Sequence, residues 1–211
     1  RVDMKTREGV YIKPQPLPGD PAERYNWDAP INVSAHDPAR IYFASQRVWR
    51  SDDRGDSWTP VSGDLSHGRD RLVQPMMGRV WSIDAAWDLW AMSQFGNITS
   101  ISESPLQEGL IYVGTDDGLI HVSSDGGENW ATTESFKGVP DMSLIEDVIA
   151  SHHDADTAYA VIDNHKRGDH KPYVLKTQNR GKSWTLISNN LPERGTAHTI
   201  IEDHVDANLL F

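Results

Sequence analysis

The residues of this chain best equipped for chemistry fall in two stretches. The first, 63–97, carries Trp81, Trp87 and Trp90 among Arg79, Asp84, Asp88 and Gln94. The second, 163–172, reads Asp-Asn-His-Lys-Arg-Gly-Asp-His-Lys-Pro and holds His165, Arg167 and His170. Tryptophan beside carboxylates suits a carbohydrate or peptide groove, because indole faces stack on apolar ring surfaces while polar groups orient the ligand. Trp81, Trp87, Trp90, Gln94, His165 and Arg167 are therefore the candidate ligand contacts. The plainer alternative for the tryptophans is that they pack the first stretch onto the body of the protein. Hydrolysis of a glycosidic bond requires two carboxyl groups, about 5–5.5 Å apart for retention or about 6.5–9.5 Å for inversion. Asp84, Asp88, Asp116, Asp117 and Asp141 are the weak catalytic candidates, in a chain with 31 acidic residues whose abundance selects none of them. His165 and His170, with Asp163 and Asp169, match no standard zinc spacing, and neither a metal nor a cofactor is expected. A phosphate-cradling glycine loop, a nucleophile elbow and a metalloprotease helix are all missing from the sequence.

The elements that must position these residues are set by a repeat. Ser51-Asp52-Asp53-Arg54-Gly55-Asp56-Ser57-Trp58 returns as Ser123-Ser124-Asp125-Gly126-Gly127-Glu128-Asn129-Trp130 and as Thr177-Gln178-Asn179-Arg180-Gly181-Lys182-Ser183-Trp184. The three copies start 72 and 54 residues apart, and a period near 50 suits a propeller blade of four strands. Each copy is preceded by three short β-branched and aromatic runs and followed by one more, with Asp, Gly, Asn and Pro between them. The first cycle runs through 31–34, 41–44, 47–50 and 58–61, and the others follow the same order. Stretches 199–202 and 208–211 start the cycle again. In each copy the glycine (Gly55, Gly127, Gly181) supplies a left-handed turn position. The residue two places before it (Asp53, Asp125, Asn179) accepts hydrogen bonds from the turn's own amides, and the tryptophan opens the outer strand.

The predicted fold class is thus all-β: four-stranded antiparallel β-propeller blades forming a partial ring of about three and a half blades from a larger propeller. The expected divisions are an extended N-terminal segment at 1–24, blade 1 at 25–62, an inserted rim loop at 63–97, blade 2 at 98–137, blade 3 at 138–190 and the start of blade 4 at 191–211. Such a segment leaves sheet edges and apolar flanks open, so further blades, in the same polypeptide or from a partner chain, are the expected partners. A net charge of −11 argues against nucleic acid and anionic membrane surfaces. No run approaches a membrane span. Cysteine is absent, which removes disulfides and thiolate sites and is compatible with an extracytoplasmic setting.

The three octapeptides resemble the Asp-boxes of BNR propellers, a group that includes sialidases, xyloglucanase-type glycosidases and the sortilin ectodomain. The likeness is nearest to bacterial sortilin-like repeat proteins labelled glycosyl hydrolases, and it spans about 25–211. It implies that Ser51, Asp53, Gly55 and Trp58, with Ser123, Asp125, Gly127 and Trp130 and with Thr177, Asn179, Gly181 and Trp184, form structural turns at the blade periphery, away from the ligand face. It implies a ligand rim made of the loops between second and third strands and between blades. A sialidase site would resemble an arginine triad drawn from several blades, and no arginine recurs at the inner strands here. The expected function is an extracytoplasmic, secreted or periplasmic, binding or scaffold module for protein or carbohydrate. The alternative is a glycoside hydrolase with its acid and base on the rim loops.

Overall fold

The computed structural model describes residues 1–75, 79–82, 84 and 94–211. Three four-stranded antiparallel sheets follow one another along the chain. The first holds β1 (Ile31–Val33), β2 (Ile41–Ala44), β3 (Val48–Ser51) and β4 (Thr59–Pro60). The second holds β5 (Ile98–Glu103), β6 (Ile111–Thr115), β7 (Ile120–Ser123) and β8 (Ala131–Thr133). The third holds β9 (Leu144–Ala150), β10 (Ala158–Asp163), β11 (Tyr173–Thr177) and β12 (Thr185–Leu186). Strand order equals chain order in each sheet, as expected of propeller blades. A bridge between Glu202 and Leu210 opens a fourth unit. Among the described residues the only helical pieces are three single 3₁₀ turns.

The core lies between blades rather than inside any one of them. Successive side chains of a strand point to opposite faces, so a strand buried on both sides feeds two interfaces. In β6, Ile111 and Val113 join the cluster shared with Tyr42 and Ala44 of the first blade, while Tyr112 joins the cluster shared with Ala160 and Ile162 of the third. In β10, Ala160 and Ile162 face the second blade, whereas Tyr159 and Val161 face Ile200 of the fourth unit. Burial of each large apolar side chain stabilises the stack by roughly 1.5–3 kcal/mol. That two-sided burial explains why the second-strand runs read as continuous apolar stretches.

Inner strands are stitched to one another by side chains. The Val148 amide donates to Ser100 Oγ (2.9 Å) and the Ala150 amide to Ser102 Oγ (3.1 Å). One blade on, Asp147 accepts from Thr199 Oγ1 (2.8 Å) and from the Ile200 amide (3.4 Å). Register slips by one residue at Thr99 in β5 and at Glu146 in β9. These are β-bulges, which re-aim a side chain near a sheet's rim.

The three octapeptides form superimposable turns. Ser51 Oγ donates to Asp53 Oδ1 (2.7 Å) and accepts from the Gly55 amide (2.7 Å), while Asp53 Oδ1 accepts from the Ser57 amide (2.8 Å). Ser123, Asp125, Gly127 and Asn129 repeat these bonds, as do Thr177, Asn179, Gly181 and Ser183. The indole of Trp130 donates to Val61 O of the preceding blade (3.1 Å), and that of Trp58 donates to Ile12 O (2.6 Å). An added Cβ at Gly127 would lie 2.6 Å from Val61 O, and one at Gly55 would lie 2.7 Å from Ile12 Cβ. Ile12 therefore stands to the first blade as Val61 stands to the second. Residues 1–10 of the segment expected to be extended form a hairpin bridged at Val2 and Gly9, and Ile12 just beyond it supplies the outer-strand contact that a preceding blade would make.

Candidate functional site

The rim where second strands end and inner strands begin brings together the predicted loops. On the second blade it is the turn joining β6 to β7. Asp117 there is fully buried; it accepts from Thr115 Oγ1 (2.6 Å) and from the His67 amide (2.7 Å). Asp116 accepts from the Gly96 amide (2.9 Å) and the Asn97 amide (2.8 Å). Two adjacent carboxylates thus grip the two ends of the 63–97 insertion, Asp117 its entry and Asp116 its exit. Beneath them His121 Nε2 meets Leu65 O (2.6 Å) and its Nδ1 meets Thr132 Oγ1 (2.9 Å). A carbonyl only accepts, so Nε2 carries the proton and Nδ1 takes the threonine hydroxyl's hydrogen. Burial pushes the Asp116 carboxyl up to about 7, with the Asp117 charge adding to it, and burial lowers the His121 imidazole.

Within the insertion, the Arg79 guanidinium lies 3.4 Å from the centre of the Trp81 ring, a cation–π contact. Asp84 is exposed and takes a hydrogen bond from Ser82 Oγ that lowers its pKa. Gln94 is exposed, and its main-chain carbonyl accepts from the Asn97 side-chain amide. Trp87, Asp88 and Trp90 lie outside the described residues. Arg24 of the N-terminal segment ties the insertion's two ends together, reaching Asp64 Oδ2 (2.6 Å), Ser66 Oγ (3.1 Å) and Gly96 O (3.2 Å).

The rim continues onto the third blade through Met142, a non-glycine residue at φ 55°. A Cβ on Gly118 would lie 2.8 Å from its Cα, and Arg167 Nη1 donates to the neighbouring Asp141 O (2.8 Å). The Asp141 carboxyl itself is exposed. Beyond lies a group the sequence reading did not assemble. Buried Asp163, at the end of β10, accepts from the His165 amide (2.7 Å) and from His165 Nδ1. The carboxylate fixes the proton on Nδ1 and leaves Nε2 as the free lone pair. The His165 and His198 rings meet edge to face with centres 6.1 Å apart, and His198 Nδ1 lies 3.8 Å from Glu146 Oε1. Burial first, then the Asp163 charge, raises the Glu146 pKa. Among the described residues no group of three or more His, Cys, Asp or Glu is placed to hold a metal ion.

Neither Glu146 nor His198 was singled out by the sequence reading. Glu146 is the bulged residue of β9, and Thr99 is the bulged residue of β5, where its hydroxyl donates to Gly114 O (3.2 Å) and Ile145 O (2.6 Å). Histidines on the opposite rim recur in role: His36 Nε2 donates to Ser104 O (2.8 Å) and His153 Nε2 to Asp203 O (2.7 Å), each reaching the next blade. Asn97, which with Ile98 and Thr99 matches a glycosylation acceptor sequence, is fully buried.

No protein-family model matches the chain, and neither does any curated protein. Solved structures do. An ancestral GH74 enzyme superposes over 93% of this chain and 22% of its own, with 19% identity and a TM-score of 0.61. YCF48 from Cyanidioschyzon merolae matches over 89% of this chain and 49% of its own, at 17% identity and TM-score 0.49. The Niastella koreensis GH74 enzyme matches over 81% and 19%, at 15% identity and TM-score 0.47. The first likeness establishes the propeller fold, and this chain spans about a fifth of that enzyme's length.

Proposed function

We propose that the chain is part of an extracytoplasmic propeller that binds protein or carbohydrate on the rim running from the 63–97 insertion to the third blade. The observation that carries this reading is what the rim aspartates do. Asp116 and Asp117 hold main-chain amides of the insertion, so their chemistry serves to present it rather than to act on a substrate. The presented segment carries Trp81 with Arg79 against its ring, a broad polarised face of the kind that stacks on a sugar or a peptide side chain. Cysteine-free composition and the sortilin-like boxes favour the extracytoplasmic setting. No helix among the described residues is long and apolar enough to cross a membrane.

Binding of the 211-residue chain to a glycan array and a random peptide library tests this. Trp81→Ala and Arg79→Ala should each weaken a captured ligand about tenfold or more, consistent with a stacking contact of about 1–3 kcal/mol. Capture unchanged in both variants would remove the insertion from the site.

A second reading, glycoside hydrolysis, is favoured by one group of residues. Glu146 is a half-buried carboxyl held toward its protonated form, near the buried Asp163. An oligosaccharide-hydrolysis screen would show turnover lost in Glu146→Gln. Absence of turnover with every substrate leaves the binding reading standing alone.

A further inference from the structure

We propose that the turn between β6 and β7 is a proton-sensitive clasp for the 63–97 insertion, in which Asp117 holds the entry, Asp116 the exit, and His121 braces the entry from below. The inference concerns the insertion's attachment and stands whether or not the rim binds a ligand. Its geometry is unusual in its economy. One four-residue turn contacts both ends of an insertion that leaves the chain at 63 and rejoins it at 97. The His67, Gly96 and Asn97 amides all end on two neighbouring carboxylates. The Leu65 carbonyl ends on an imidazole two residues into the next strand.

Both the Asp116 carboxyl and the His121 imidazole are shielded from water while the insertion is attached, and detachment returns them to it. For Asp116 the attached-state pKa, about 7, lies above the ordinary carboxylate value. Detachment then releases a proton, so this contribution is full in acid and is lost as pH rises toward about 7. For His121 the attached-state value is lowered by burial. Detachment takes up a proton, so this contribution is full above the ordinary histidine value of about 6.5 and is lost as pH falls. The other charged groups facing the pair are Asp117 beside Asp116, and Asp117, His67 and Glu134 around His121. The two titrations oppose each other below about pH 6.5, so each masks the other in the intact clasp.

Single substitutions unmask them. Amide exchange at His67, Gly96 and Asn97 is to be followed from pH 5 to 7.5, corrected for the intrinsic rate, in the wild type, in Asp116→Asn and in His121→Gln. Asp116→Asn keeps an acceptor for both amides, and His121→Gln keeps a donor for Leu65 O. In Asp116→Asn, protection at the three amides should fall with acidification, by up to about tenfold per pH unit. In His121→Gln it should rise with acidification on the same scale, and the wild type should lie between. Should His121→Gln fail to fold, the carboxyl carbon of Asp116 followed by NMR in the wild type serves instead: a midpoint near 7 supports the clasp and one near the ordinary carboxylate value overturns it. Identical pH profiles in all three proteins also overturn it.

Discussion

A residue repeated three times invites comparison among its copies, and two comparisons separate structure from accident. The Asp53 and Asp125 carboxyls are both held at about 2, first by hydrogen bonds from the side chains of Ser57 and Asn129. Asn179 makes the matching bond to the Ser183 amide (2.9 Å) without a titrating group. Because the folded-state values are depressed, the aspartate turns contribute stability that is present above about pH 4 and is lost as pH falls toward 2. Amide exchange should therefore show Ser57 and Asn129 losing protection between pH 4 and 2 while Ser183 keeps it. Equal loss at all three would mean that the carboxylates do not hold the turns. The second comparison concerns buried tyrosines. Tyr42 donates to Glu103 Oε1 and Tyr159 to Glu202 Oε1, each at 3.1 Å in the following blade. Tyr112 occupies the same place, faces Ala150 at the position of those glutamates, and its hydroxyl has no partner. Tyr42→Phe should cost about 1–3 kcal/mol in denaturant unfolding, whereas Tyr112→Phe should be neutral or stabilising, since it removes a buried hydroxyl whose desolvation no hydrogen bond offsets.

At the scale of elements, most of this molecule was readable in advance. The four runs per repeat became four strands, because alternating β-branched and aromatic residues bounded by Asp and Gly leave little other choice. Boundaries moved where tertiary contacts extended a strand. In the third repeat the run matching 31–34 of the first cycle is 147–150, yet β9 begins at Leu144, since pairing with β10 continues across the bulge at Glu146. A bulge has no sequence signature at a glutamate, so the residue it turns toward His198 could not be foreseen. The function of Asp116 and Asp117 was hidden for a similar reason: the amides they hold lie 19 to 50 residues away in sequence. Stitching between inner strands carries its own prediction. Ser100 is nearly buried and is the acceptor for the Val148 amide. Ser100→Ala strands that amide and should cost about 1–3 kcal/mol, read by thermal or denaturant unfolding. An unchanged midpoint would show that the blades do not depend on this bond.

For the molecule as a whole, the decisive feature is the contrast between the open inner strand of the first blade and the covered inner strands of the later ones. Ile101, Val148 and Ile200, which begin equivalent halves of the inner strands, are 7%, 1% and 4% exposed. Ile31 holds the same position in β1 and is 53% exposed, with Val33 and Trp27 also open beside it. Each later blade covers this position with the inner strands of the one before, so the first blade presents a face shaped for a further blade. Hydroxyl-radical footprinting read by mass spectrometry tests that arrangement in one experiment. Stacking of three blades predicts fast labelling at Trp27, Ile31 and Val33 and near-complete protection at Ile101, Val148 and Ile200. Labelling of Ile101 and Val148 as fast as that of Ile31 would mean that the sheets do not pack on one another, and the shared rim would go with them.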